Sequence, residues 1–266
     1  MKTRAVGLAA LTVLELPHHE QVTVAAQAGY THVGLRLVPV AGQPYEHAVD
    51  MAAIRARLAD TGVRVLDVEV FRLAAQTAVA QFEPAVAAAA ELGAAHILVH
   101  GADAEEARLV ESFGRLCDLA ARHGLVANLE PMPWVDVSSV AKALRILRGA
   151  GRANSGLLVD AIHFFRAGDR LDQLSAVPRQ HLHYAQFCDA RHERPADMQE
   201  LIRQARADRL MPGEGGLDLA GLVRALPAGL PLSVEIPYAK PMPVLERARR
   251  AREATVRLLE QCALPS

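Results

Sequence analysis

Eight short apolar runs, set at regular intervals, limit the folds that this chain can adopt. The runs begin near residues 4, 32, 63, 96, 125, 156, 181 and 232. The first seven start 25 to 33 residues apart, and a strand with its following helix needs about 30 residues. Helix-like stretches such as residues 45–62 separate the runs, and most of them end in glycine. The pattern therefore predicts eight consecutive β/α units.

Runs that are apolar throughout indicate strands buried on both faces, as in a parallel sheet covered by helices. A closed barrel and an open doubly wound sheet both satisfy this pattern. The sequence has no GxGxxG after its first run and no GxxxxGK[ST], which are motifs of nucleotide-binding open sheets. Since a (β/α)8 barrel has about 250 residues, we predict an α/β fold of this type in a single domain over residues 1–266. Residues 240–262 are predicted to form an amphipathic closing helix.

Charge and cysteine content restrict the partners and the compartment. The chain has 29 lysines and arginines against 30 aspartates and glutamates, and no concentrated basic run, which argues against nucleic acid as a partner. Its three cysteines are far apart and have no metal-binding spacing, which favours a reducing compartment. No apolar run is long enough to span a bilayer. We expect a cytoplasmic protein that acts on a small molecule and has no membrane partner.

Four polar residues stand at the ends of the last four predicted strands: Glu130, Asp160, Gln186 and Glu235. In a barrel these ends meet at one rim, where the chemistry of such enzymes occurs. Three carboxylates that converge there would repel one another, and a divalent cation with oxygen ligands relieves that repulsion. This donor set suits magnesium, manganese or another first-row ion better than a structural zinc. The alternative for each carboxylate is to cap the next helix or to pair with an arginine.

Position alone predicts further residues of the barrel mouth. Arg36, Glu69, Arg72 and His100 lie near the ends of the second, third and fourth strands, and we expect them to bind substrate. Trp134 would form an apolar wall of the pocket, although a role in core packing fits it as well.

Five segments resemble one family in order and approximate spacing. They are NLEPMP, VDAIHFFRAG, HYAQFCDA, PGEGGLDLAGLVRAL and LSVEIP. The chain resembles, over nearly its whole length, the xylose isomerase-like TIM barrels. This family includes sugar isomerases and epimerases, hydroxypyruvate isomerases, inosose and 3-dehydroshikimate dehydratases, and type-two abasic-site endonucleases.

The resemblance implies roles for individual residues. It implies that a divalent ion (manganese, magnesium, cobalt or zinc) is bound by Glu130, Asp160, Gln186 and Glu235. It also implies that His163 orients a ligand or the substrate and that Arg191 contacts the substrate. Histidine is commoner at the position of Gln186, and a glutamine there resembles the hydroxypyruvate isomerase and proteobacterial 3-dehydroshikimate dehydratase branches. By analogy with the family we expect a homo-oligomer, either a dimer or a tetramer.

The expected reaction is isomerisation or epimerisation of a small sugar or hydroxy-keto compound through an enediolate. Glu130 and Glu235 would be catalytic, with one removing and the other returning a proton, and His163 would assist.

A dehydratase is the alternative, because the same enolate can expel a β-hydroxyl group. A carboxylated substrate would then need an arginine clamp, for which Arg36, Arg72 and Arg191 are candidates. A DNA-repair endonuclease is a third possibility, but its metal cluster would need more histidine ligands than this sequence offers. A metal-free binding or scaffold protein is a fourth, and the convergence of four metal ligands argues against it.

Overall fold

Parallel strands surrounded by helices form a nearly closed barrel, which confirms the predicted fold class. The computed structural model describes residues 4–40 and 45–263. The strands are β1 (Val6–Leu8), β2 (His32–Arg36), β3 (Arg64–Ala74), β4 (His96–Ala102), β5 (Val126–Glu130), β6 (Ser155–Leu157), β7 (Val159–Asp160), β8 (Ala185–Phe187) and β9 (Leu232–Val234). The α-helices are α1 (His18–Gln27), α2 (Met51–Thr61), α3 (Glu83–Glu91), α4 (Glu106–Arg122), α5 (Val140–Ala150), α6 (Ala161–Ala167), α7 (Leu171–Ser175), α8 (Met198–Ala207), α9 (Leu219–Ala225) and α10 (Val244–Ala263). Short 3₁₀ helices cover Ala10–Val13, Val79–Phe82 and Arg179–His181. Within the described ranges, none of the helices is both long enough and apolar enough to cross a membrane.

The sixth predicted strand closes the barrel. The strands follow the order β6-β5-β4-β3-β2-β1-β9-β8-β7, so the two ends of the sheet are β6 and β7. Only Leu158 separates these two strands, and its N–H donates to the carbonyl of Leu129 on β5 at 3.0 Å. The chain therefore pairs with β5 before Leu158 and with β8 after it. Because of this interruption, eight predicted strands become nine observed segments.

Alternation along each strand separates two apolar regions. Ile97 and Val99 of β4 belong to the large core that includes the buried residues of the helices, whereas Leu98 belongs to a small separate cluster with Leu66, Val70, Leu158 and Tyr184. The small cluster fills the inside of the barrel, because successive side chains of a strand point to opposite faces. His96 and His100 are on the same face as Leu98. Polar residues at the ends of the strands can thus face the barrel mouth while their neighbours hold the helices.

Two predicted helices begin later than the sequence analysis places them. Residues 45–50 are not helical, and α2 starts after Asp50, whose side chain accepts a hydrogen bond from the N–H of Ala53 at 2.9 Å. The closing helix α10 starts at Val244, after Pro243. A capping carboxylate and a proline are both typical of a helix start, so local chemistry overrides the amphipathic pattern.

An aromatic stack lies inside the barrel. The ring of His96 packs on the ring of Tyr184 with their centroids 5.0 Å apart, and the ring of His183 is 5.6 Å away. Burial, with a smaller contribution from His183, lowers the pKa of His96 to about 3. The imidazole is therefore neutral in the folded chain at pH values at which an unfolded chain would already protonate it.

This difference predicts an acid-dependent loss of stability. Between pH 6.5 and about 3, the unfolded chain binds a proton at His96 that the folded chain does not bind, so stability falls as the pH falls. From pH 7 to pH 5 we expect His96 to contribute a loss of about 1 to 2 kcal/mol in the free energy of unfolding. Urea unfolding at both pH values measures this loss, and His96→Phe, which keeps an aromatic ring on Tyr184, should reduce it.

His192→Gln is the matched control, since His192 is an exposed histidine that is not one of the rings of this stack. It should keep the pH dependence of the wild type. An equally steep loss in the His96→Phe variant would contradict the account.

Candidate active site

The four polar residues predicted at the strand ends come together at one rim of the barrel. Glu130 ends β5, Asp160 ends β7, Gln186 is the middle residue of β8 and Glu235 directly follows β9. All four are buried. The Nε2 of Gln186 donates to Oε1 of Glu235 at 3.0 Å, so the amide turns its NH₂ toward this carboxylate. This arrangement leaves the amide oxygen of Gln186 without a hydrogen-bond partner.

Arg209 lies among these carboxylates, and the sequence analysis missed it. Its side chain is 2% exposed, its Nη1 is 2.6 Å from Oδ2 of Asp160, and its Nη2 is 2.9 Å from Oε2 of Glu235. Its Nε also donates to the carbonyl of Ala205 at 2.6 Å. Arg209 stands in a loop two residues after α8, where no periodicity marks it as buried. The only feature of the sequence that points to the burial of Arg209 is its position beside the apolar pair Leu210 and Met211.

Asp160 has two roles: it caps a helix and it belongs to the carboxylate cluster at the rim. Its Oδ1 caps α6 by accepting the N–H of His163 at 3.1 Å, and its Oδ2 pairs with Arg209. Burial acts to raise the pKa of Asp160, but the charge of Arg209 and the contacts of His163 together hold it below its usual value. Asp160 is therefore ionised in the site.

Glu130 and Glu235 behave in the opposite way. Burial, and then the charge of Asp160, raise the pKa of Glu130 well above its usual value. Burial also raises the pKa of Glu235, although the charge of Arg209 opposes the shift. Each of these carboxyl groups would ionise more readily beside an added cation.

Two neutral histidines border Glu130. The Nε2 of His100 is 2.7 Å from Oε2 of Glu130, and the Nε2 of His163 is 4.0 Å from Oε1. Burial is the chief cause that lowers the pKa of each histidine to about 3, so both rings are uncharged near neutral pH. A neutral His100 can keep its proton on Nε2 and donate it to Glu130. The ring of Trp134 packs edge-on against His163 at 4.9 Å and fixes its orientation.

The residues of this cluster fit a divalent cation. Three buried atoms make no hydrogen bond to any residue in the described part of the chain: Oε1 of Glu130, Oε1 of Gln186 and Nδ1 of His163. Potential ligand atoms of Glu130, Asp160 and His163 all lie within 4.8 Å of one another. Unpaired buried acceptors are costly, and a metal ion is a partner that satisfies several of them at once. This compact group contains His163, whereas the predicted ligand set has Gln186 and Glu235 beside Glu130 and Asp160.

The cluster borders a cavity of about 350 Å³. The predicted site residues that line it are Arg36, Glu69, Arg72, His100, Glu130, Trp134, His163 and Glu235. Arg36 and Glu69 form an ion pair at 2.7 Å inside it. Arg206, on the last turn of α8, also lines the cavity and was not predicted.

The structure places Arg191 elsewhere. Its guanidinium is exposed and pairs with Asp208 at 3.3 Å, and it does not border the cavity. The backbone explains this position, because the carbonyl of Arg191 accepts a hydrogen bond from Arg166 at 2.6 Å, within a loop that runs along the outside of α6. The geometry therefore does not support the substrate contact that was predicted for Arg191.

Asp189 holds the loop that carries Arg209. It is buried after β8, and its carboxylate accepts the N–H groups of Gly213 and Gly215 at 3.0 Å and of Leu217 at 3.1 Å. Its backbone exchanges two hydrogen bonds of 2.8 Å with Leu210, next to Arg209. A Cβ atom at position 215 would lie 2.4 Å from Oδ1 of Asp189, so this approach requires glycine.

The chain is similar to known proteins along most of its length. The model of the family described as xylose isomerase-like TIM barrel matches residues 22–261. A 3-dehydroshikimate dehydratase of Pseudomonas aeruginosa is 31% identical to this chain over an alignment of 155 residues. The match covers 55% of this chain and 24% of that relative. The matched region thus spans about a quarter of the length of that curated relative.

Solved structures show the same fold. A fusion protein of a xylose isomerase-like TIM barrel and a 4-hydroxyphenylpyruvate dioxygenase has a TM-score of 0.83 and 21% identity, with 98% of this chain and 43% of that chain covered. The IOLI protein with a bound zinc atom has a TM-score of 0.79 and 18% identity, with 97% and 98% covered. At these identities the likeness concerns the fold alone.

The carboxylate of Asp189 generates a prediction for stability. Asp189→Asn should lower the free energy of unfolding by about 1 to 3 kcal/mol, because the amide keeps one acceptor oxygen and its NH₂ group cannot accept the N–H groups of Gly213 and Gly215. Urea unfolding monitored by circular dichroism measures the change. Glu193→Gln, at an exposed position of the same loop, is the control and should cost less than about 0.5 kcal/mol. Equal stability of the two variants would show that the Asp189 contacts do not hold the loop.

Proposed function

The chain belongs to the xylose isomerase-like TIM barrel family, and on this premise we propose that it is a divalent-metal-dependent dehydratase that removes water from a carboxylated hydroxy-ketone. The observation that carries the proposal is that Arg36, Arg72 and Arg206 line the same cavity as the carboxylate cluster. The part lined by these arginines is called the cationic end, and the part next to the carboxylates is called the acidic end. The named activity of the Pseudomonas aeruginosa relative supports it, as does the zinc atom in the IOLI structure.

The cationic end contains three arginines. Nη1 of Arg36 is buried and has no hydrogen-bond partner within residues 4–40 and 45–263, although the same side chain pairs with Glu69. Arg72 and Arg206 form no ion pair with any residue that the structure describes. All three arginines line the same cavity as His100. Burial is the chief cause that lowers the pKa of His100, and the positive charges of the three arginines lower it further. Guanidinium groups in this state favour an anionic group, such as a substrate carboxylate.

The acidic end supplies the chemistry. A divalent ion held by Glu130, Asp160, Gln186 and Glu235 would polarise the carbonyl of a bound hydroxy-ketone and make its α-proton easier to remove. We assign proton removal to Oε2 of Glu130, which faces His100 at 2.7 Å. The same carboxyl group would then give that proton to the departing β-hydroxyl group, which leaves as water. Glu130 ends in its starting protonation state, and the substrate gains a carbon–carbon double bond.

Isomerisation or epimerisation is the second candidate. Glu130 and Glu235 both line the cavity and come from strands β5 and β9, so one could remove a proton and the other return it. Against this role, Oε2 of Glu235 is paired with the charged Arg209 at 2.9 Å, which weakens it as a base, whereas Oε2 of Glu130 contacts a neutral histidine. The cationic end has no use in binding a neutral sugar, so hydroxypyruvate, which carries a carboxylate, is the isomerase substrate that fits this cavity.

Proton NMR in D₂O distinguishes the two reactions. We expect the protein with Mn²⁺ or Mg²⁺ to convert 3-dehydroshikimate to an alkene or aromatic product with loss of water. Deuterium uptake beside the carbonyl of a ketose or of hydroxypyruvate, without loss of water, would instead establish the isomerase.

Glu130→Gln should lower kcat by about 10² to 10⁴-fold, since it removes the proton acceptor. Glu214→Gln, at the surface beside Arg250, is the control and should retain the wild-type rate.

The arginines generate a separate prediction for substrate binding. Arg206→Met removes a charge from the cavity and keeps the length of the side chain. It should raise KM for a carboxylated substrate by about tenfold or more and change kcat much less, because the lost ion pair contributes to binding rather than to proton transfer. Arg203→Met, on the same helix, should leave KM unchanged, because Arg203 pairs with Glu200 and Asp208 and does not line the cavity. An equal rise in KM for an uncharged hydroxy-ketone would exclude a carboxylate as the group that Arg206 binds.

A further inference from the structure

We propose that Arg209 is a permanent part of the metal centre: it restricts the centre to one divalent ion and keeps the carboxylates together when no ion is bound. This inference rests on the proposed function, because it concerns the metal site on which that function depends. It assigns to Arg209 a positioning role, since the residue acts through two carboxylates.

The guanidinium is held too firmly to be displaced easily. Besides Asp160 and Glu235, it contacts the carbonyls of Ala205 and Glu235 and lies 3.5 Å from Sγ of Cys188. The loop that carries Arg209 is itself fixed, because Leu210 pairs with Asp189 through two hydrogen bonds. A metal ion that enters the cluster must therefore share the site with the arginine.

The contacts divide the carboxylate oxygens between two cations. Arg209 occupies Oδ2 of Asp160 and Oε2 of Glu235, and so spans the two residues on one side. Oε1 of Glu130 and Oε1 of Gln186 remain free on the other side. Sites with two metals place ions about 3.5 to 4 Å apart and use carboxylates that bridge both ions. Here the guanidinium already bridges the oxygens that a second ion would need.

The charge of the cluster leads to the same stoichiometry. Glu130, Asp160 and Glu235 carry three negative charges when ionised, and Arg209 returns one positive charge. The remaining charge equals that of a single divalent cation in magnitude. Without an ion, Arg209 still compensates two of the buried carboxylates, which would otherwise be strongly destabilising. The fold can therefore assemble the site before a metal arrives.

Arg209→Met tests this inference, because methionine fills similar space without charge or hydrogen bonds. Protein purified with a chelator and titrated with Mn²⁺ is analysed for bound metal, for dissociation constants, for the melting temperature with and without Mn²⁺, and for the Mn²⁺ electron paramagnetic resonance signal. The wild type should bind one ion and give an uncoupled spectrum. Arg209→Met should melt at a lower temperature without metal, gain more from Mn²⁺ than the wild type does, and bind the first ion about tenfold more tightly or bind a second, spin-coupled ion.

Two further variants serve as controls. Arg206→Met removes the same charge from the same cavity but touches neither Asp160 nor Glu235, so it should keep one ion and the metal-dependent gain in melting temperature of the wild type. Arg209→Lys keeps the charge and should also keep one ion. If Arg209→Met does not fold alone, refolding in Mn²⁺ should recover it, because the ion then compensates the carboxylates.

The outcomes separate the two proposals. A wild type that binds no divalent ion would overturn the proposed function and, with it, the limit to one ion. The melting temperature of Arg209→Met without metal tests separately whether Arg209 keeps the carboxylates together. A wild type that binds one ion, together with an Arg209→Met variant of unchanged stoichiometry, affinity and metal-dependent melting, would overturn the inference. Failure of Mn²⁺ to recover an unfolded Arg209→Met variant would overturn it as well.

Discussion

The burial of several carboxylates at one rim of the barrel is the constraint on which the rest of the site depends. Moving a carboxylate from water into a protein interior is costly unless a cation or hydrogen-bond donors compensate it. Arg209 supplies that compensation for Asp160 and Glu235, which it contacts at 2.6 and 2.9 Å. Among the described residues, the carboxylate of Glu130 has one hydrogen-bond partner, His100, and its Oε1 has none. The cluster is thus stable enough to form and still has capacity for one more cation.

The positions of these groups depend on two features of the backbone. Closure of the barrel through the strand that is interrupted at Leu158 brings Glu130 on β5 and Asp160 on β7 to the same rim. The carboxylate of Asp189 ties down the loop that begins near Arg209 and leads to Gly215. A loop that would otherwise be free to move therefore holds the arginine within the rigid frame of the strands.

The cavity owes its two unlike ends to different kinds of elements. Its acidic end is built from strand ends, where position is fixed by the hydrogen bonds of the sheet. Its cationic end combines Arg36 and Arg72 from strands with Arg206 from the last turn of α8. His100 and His163 also border the cavity. Their pKa values are low, so near neutral pH both rings are uncharged and add no charge to either end. A substrate with a carboxylate at one end and a hydroxy-ketone at the other matches this polarity.

The sequence by itself determined the barrel and four residues of its rim. Strands of a parallel sheet all end on one side, so an apolar run that stops at a carboxylate or amide places Glu130, Asp160, Gln186 and Glu235 together without any knowledge of loops. Local chemistry can also be read from the sequence: an aspartate is a common residue at the start of a helix, and Asp218 accepts the N–H of Gly221 at the start of α9.

Only the tertiary structure decided which arginines belong to the site. Arg191, Arg206 and Arg209 lie within one stretch of the sequence, yet the first is exposed, the second lines the cavity and the third is wholly buried. The path of a loop depends on contacts with residues far away in the chain, such as those between Asp160 and Arg209, and no spacing rule records them. The periodic elements could be predicted because each repeats a local geometry, whereas the loop that completes the site has none to repeat.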